Sequence, residues 1–111
     1  SGAISASVMR IRVCDTDELP PGHAKRVLIQ HRAPIAVFNV EGRFYVTDDD
    51  CTHGLSSLAK DGQVLDDEVE CGWHGGRFNI ITGEATCSPC AVRLNTYAVE
   101  IEGRDVFAVL A

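Results

Sequence analysis

The sequence predicts an all-β fold, on three observations. Short apolar-polar alternations recur along the 111 residues, turn residues separate them, and no stretch sustains three to four turns of helical periodicity. The alternations run from Val8 to Val13, Arg26 to Ile29, Ile35 to Val40, Phe44 to Val46, Val92 to Ile101 and Val106 to Leu110. Glu41-Gly42-Arg43 and Glu102-Gly103-Arg104 place glycine between apolar runs, where a hairpin turn commonly requires a positive φ. In the last long alternation Tyr97, Val99 and Ile101 fall at period two, with Ala98, Glu100 and Glu102 between them. That pattern predicts one buried and one wet face.

From about residue 48 to residue 83 the regularity breaks. This stretch is rich in glycine and acid, and its only strand-like pieces are Val69-Glu70-Cys71 and Arg77-Phe78-Asn79-Ile80. It reads as a small subdomain set into a larger β scaffold within a single domain, residues 1–111. Asp66-Asp67-Glu68 reads as a turn, and Leu55 to Ala59 as at most one helical turn.

The irregular stretch carries the chemistry. Cys51-Thr52-His53 and Cys71-Gly72-Trp73-His74 each bring a thiolate and an imidazole within a few residues, with Gly54 after the first pair and Gly75-Gly76 after the second. Two tight loops of this kind can approach one metal centre from opposite sides. Two sulfurs and two nitrogens match a 2Fe-2S cluster in which two histidines replace two cysteines on one iron. Zinc accepts the same donors, but structural zinc sites usually pair cysteine with cysteine and histidine with histidine. Here each pair is mixed. His23 and His31 precede the motif among strand-like neighbours and read as surface or core-edge residues.

Cys51-Thr52-His53-Gly54 through Cys71-Gly72-Trp73-His74-Gly75 resembles the Rieske signature. Over nearly its whole length the chain is similar to the small ferredoxin component of bacterial aromatic-ring-hydroxylating dioxygenase systems. Weaker matches are Val40 to Tyr45, Arg77-Phe78-Asn79 with Thr82-Gly83, and Pro89-Cys90. The resemblance implies a Rieske-type antiparallel β sandwich or barrel and one 2Fe-2S cluster. Cys51 and Cys71 would hold its inner iron, and His53 and His74 its outer iron. It also implies a low-potential electron carrier, not an enzyme, working as a monomer between a flavoprotein ferredoxin reductase and a terminal Rieske oxygenase. The alternative is a tightly bound Rieske electron-transfer subunit of another oxidoreductase complex. Trp73 and Pro89 are expected to shield the iron core.

Departures from the wider family bear on the potential. Respiratory-chain Rieske proteins tie their two loops with a disulfide, and Ser56 and Trp73 stand at those positions. Gly76 and Phe78 replace a serine and a tyrosine that donate to sulfur in the high-potential members. Fewer donors stabilise the reduced cluster less, so a value near the lower end of roughly −150 to +300 mV is expected.

Charge and length exclude other roles. The net charge of −6 argues against a nucleic-acid partner, and 111 residues leave no room for a separate catalytic domain. Eight of the sixteen acids fall between Asp48 and Glu70, against one base, Lys60. They read equally as a solvated surface or as a docking rim. No apolar run approaches a bilayer span and no signal pattern precedes the first strand, so a cytoplasmic protein without a membrane partner is expected. Cys14, Cys87 and Cys90 are left over by the motif. An odd number makes no complete disulfide framework, and Cys87-Ser88-Pro89-Cys90 reads as a loop with structural thiols.

Overall fold

The structure is a computed structural model that describes residues 9–51, 56–72, 76–87 and 92–110. The described residues form ten strands and one short helix. The strands are β1 (Met9–Asp15), β2 (Ala24–Val27), β3 (Ile35–Val40), β4 (Arg43–Asp48), β5 (Gln63–Leu65), β6 (Glu68–Glu70), β7 (Arg77–Asn79), β8 (Ala85–Cys87), β9 (Thr96–Glu102) and β10 (Asp105–Leu110), with helix α1 (Leu58–Asp61) between β4 and β5. A six-stranded sheet runs β1-β10-β9-β4-β3-β2 and a four-stranded sheet β5-β6-β7-β8, antiparallel throughout.

β3 explains how the two sheets share one molecule. All six of its residues are buried, because its two faces serve different cores. Ile35 and Val37 point into one core with Val13 and Cys14 of β1, Val46 of β4 and Val106 and Leu110 of β10. Side chains from both ends of the strand order thus meet in one cluster, so the large sheet curls around it. Ala36, Phe38 and Val40 face a second core with Val69, Phe78, Ile80 and Leu58, beneath the small sheet and the helix. Burying side chains such as Phe38 and Ile35 contributes about 1.5–3 kcal/mol each. Asn39, on the face of Ile35 and Val37, meets Leu19 of the first core through polar groups: its Nδ2 donates to the Leu19 carbonyl at 2.7 Å and its Oδ1 accepts from Gly42 N–H at 2.7 Å.

The hairpin turns follow the glycines, with Gly42 at φ 91° and Gly103 at φ 61°. Several sequence expectations shift. β9 begins at Thr96, not Val92, and the chain from 92 to 95 is irregular, pinned by the buried Leu94, whose N–H donates to the Gly83 carbonyl at 2.8 Å. Ile101 is half exposed rather than buried, because β4 pairs with β9 only at Thr96 and Tyr97 and the end of β9 runs past the core. β5 and β8 have three residues each, too few to display a period. The helical turn lies at Leu58–Asp61, where Ser57 caps it: Ser57 Oγ accepts from Lys60 N–H, and Asp61 accepts from Ser57 N–H. Among the described residues no helix is long and apolar enough to cross a membrane.

Candidate metal centre

Both candidate loops leave the same end of the fold. β4 ends at Asp48 and leads to Cys51; β6 ends at Glu70 and leads to Cys71. Each loop is closed in the same way, by the cysteine's own N–H on the carbonyl five residues later: Cys51 to Ser56 at 3.0 Å and Cys71 to Gly76 at 2.6 Å. A bridge between Asp50 and Ser57 continues the first closure. Both cysteines are buried, 3% and 2% exposed, and both belong to the core under the small sheet, alongside Phe38, Leu58 and Phe78.

Ser56 links the two loops. Its hydroxyl, 4% exposed, lies 3.1 Å from Cys71 Sγ, while its carbonyl closes the loop of Cys51. Asp49 anchors the base of the first loop. Its fully buried carboxylate accepts from Arg26 Nε at 3.0 Å and Ala59 N–H at 2.9 Å, and its carbonyl accepts from Leu58 N–H at 2.8 Å. One residue thereby fixes the segments entering and leaving the loop. Gly72 lies against the end of α1, where a Cβ would collide with the Asp61 carbonyl, so the second loop needs glycine there. Asp48 fastens the first loop to β9, accepting from Tyr97 OH at 2.6 Å and Asn95 Nδ2 at 2.9 Å. Burial, and then this carboxylate, push the Tyr97 phenol up to about 12.

His53 and His74 lie outside the described residues, as do Trp73 and Pro89. The structure thus places Cys51 and Cys71 in a common buried setting, the environment a thiolate-held cluster needs. Among the described residues no three His, Cys, Asp or Glu side chains gather into a metal site. His23 and His31 are exposed, as expected.

The acidic segment is not one surface. Asp49 is buried, Asp48 is bound to Tyr97, and Glu70 and Glu68 face Arg77 at 3.3 and 3.8 Å. Asp66 and Asp67 are exposed in the β5–β6 turn, three strand residues from Cys71, roughly 10 Å along β6 on the side away from the loops. They share a shallow cleft with Glu41 of the β3–β4 turn. Sequence reasoning missed the anchoring roles of Asp49, Arg26 and Ser56, which rest on contacts between residues distant in the sequence.

Comparison with known proteins decides the family. The profile of the Rieske [2Fe-2S] domain matches residues 9–98. The chain belongs to the Rieske family. This Rieske domain is 45% identical over 96 residues to the biphenyl dioxygenase ferredoxin subunit of Pseudomonas sp. (strain KKS102), covering 86% of each chain. It superposes on the Sphingomonas yanoikuyae B1 ferredoxin with a TM-score of 0.87 at 36% identity, covering 93% of this chain and 100% of that one. A similar match, TM-score 0.86 at 40% identity over 89% and 91% of the two chains, is to a structure described as the complex of reduced oxygenase and oxidized ferredoxin in carbazole 1,9a-dioxygenase. This Rieske protein is therefore a ferredoxin-type electron carrier, non-catalytic itself, that binds a 2Fe-2S cluster.

Proposed function

We propose that this ferredoxin holds its cluster through Cys51, Cys71, His53 and His74, and carries single electrons from an NAD(P)H-dependent flavoprotein reductase to a terminal Rieske oxygenase of an aromatic-ring dioxygenase system. The observation that carries the ligand assignment is the pair of buried cysteines at the roots of two identically closed loops. When bound, the cluster supplies a one-electron acceptor and donor. The chain's own residues do the rest. Phe38, Leu58 and Phe78 keep water from the cysteine side, and Asp49, Ser56 and Gly72 hold the loops in register. His53 and His74, two and three residues beyond the buried cysteines in the sequence, would supply the two imidazole ligands.

The partner assignment is supported by the biphenyl dioxygenase ferredoxin subunit among the relatives and by the oxygenase-ferredoxin complex among the structural neighbours. We assign the carrier to the cytoplasm as a monomer that dissociates between partners. Reconstitution with a reductase and an oxygenase tests it. NAD(P)H-driven substrate oxidation should depend on added ferredoxin, and oxygenase turnover indifferent to its addition would overturn the proposal.

A further inference from the structure

We propose that the Ser56 hydroxyl is a positioning and tuning donor to Cys71, replacing with one hydrogen bond the covalent tie between loops that this chain lacks. The inference rests on the ligand assignment above. Ser56 Oγ lies 3.1 Å from Cys71 Sγ, and the two residues are 4% and 2% exposed. Water therefore does not compete for either atom. A cysteine that ligates iron does so as a thiolate, which only accepts hydrogen bonds, so the proton of the pair belongs to the serine.

The hydroxyl is held in place by the backbone around it. The Ser56 carbonyl accepts from Cys51 N–H at 3.0 Å, and the next residue, Ser57, both bridges Asp50 and caps α1. One residue thus contacts the backbone of the first cysteine and the sulfur of the second. A donor on a buried sulfur strengthens as the centre gains an electron, because the sulfur becomes more negative in a medium that screens little. Ser56 should raise the potential and partly offset the donors missing at Gly76 and Phe78. It should also keep the two loops together while the cluster assembles.

The test is voltammetry of the purified, cluster-loaded protein beside its Ser56→Ala, Ser56→Thr and Ser56→Cys variants, with iron content measured on each. In Ser56→Ala the reduced-to-oxidised ratio at a fixed ambient potential should fall about tenfold, a drop of about 59 mV for one electron. Ser56→Thr, which keeps the hydroxyl, should retain the parent value, and Ser56→Cys, a weaker donor, should fall between them. A loaded Ser56→Ala with the parent potential overturns the inference. If Ser56→Ala fails to load, Ser56→Thr loading normally and Ser56→Cys loading at a lowered potential still support it. Failure of both Ala and Thr to load, or a Cys variant at the parent potential, overturns it, because size and not the hydroxyl then governs. A parent protein without a histidine-ligated 2Fe-2S spectrum would instead defeat the ligand assignment itself.

Discussion

Replacing Asp49 is the sharpest structural perturbation of the first loop. Its carboxylate has no exposed surface and holds Arg26 Nε at 3.0 Å and Ala59 N–H at 2.9 Å. Asp49→Ala leaves the Ala59 amide without its acceptor, a cost of about 1–3 kcal/mol. The Arg26 side chain is 31% exposed and can turn to water, so the lost ion pair adds only about 1 kcal/mol. The expected loss is about 2–4 kcal/mol, or a Tm lowered by about 8–16 °C for a chain of this length. Asp49→Asn keeps an oxygen for Ala59 and should lose only about 1 kcal/mol. Thermal unfolding of the loaded proteins, compared at one scan rate, by far-ultraviolet circular dichroism and by visible absorption reads both effects. In Asp49→Ala the visible band should also disappear below the far-ultraviolet transition, since the loop loses its anchor before the sheets melt. An Asp49→Ala protein within about 2 °C of the parent, about 0.5 kcal/mol, would show that Asp49 does not anchor the loop.

Four further outcomes are expected. His74→Cys, if it retains iron, should carry a more negative ligand set and shift towards plant-type potentials near about −400 mV by voltammetry. Gly72→Ala must displace the Asp61 carbonyl or the loop, so iron content per chain after expression should fall, with a stability loss of about 1–3 kcal/mol by urea titration. Tyr97 ionises near 10.0 when unfolded and about 12 when folded, so its contribution is complete below pH 10 and is lost as pH rises towards 12. Tyr97→Phe should flatten that part of a stability-pH curve. Asp66→Asn with Asp67→Asn should leave stopped-flow electron-transfer rates to reductase and oxygenase unchanged at low and high salt, because that turn points away from the ligand loops.

The sequence disclosed the long strands well, because β4 and β10 have enough residues to display a period, and β3 is a nearly unbroken apolar run of the same length, buried on both faces. β5 and β8, at three residues, have no period to read, and their place depends on pairing with β6 and β7. Ile101 looked buried because its alternation matches that of Tyr97 and Val99; only the short overlap of β4 with β9 decides otherwise. At the site, cysteine-histidine spacing is a local signal and exposed the metal chemistry directly. Asp49 sits among Asp48 and Asp50, three identical side chains in a row, and only tertiary contact with Arg26 and Ala59 singles it out. Ser56 was legible only as the place of a missing cysteine. Its distance to Cys71, fifteen residues away, is a product of the fold.

Two cysteines and two histidines of these loops are assigned to one 2Fe-2S cluster. Pulsed electron paramagnetic resonance of the dithionite-reduced protein, with iron and zinc counted in the same sample, tests that assignment most directly. The reduced protein should show two irons per chain and couplings to two imidazole nitrogens, with one coupling lost in each of any loaded His53 or His74 variants. A zinc-bound protein, or a cluster with no nitrogen coupling, would contradict it.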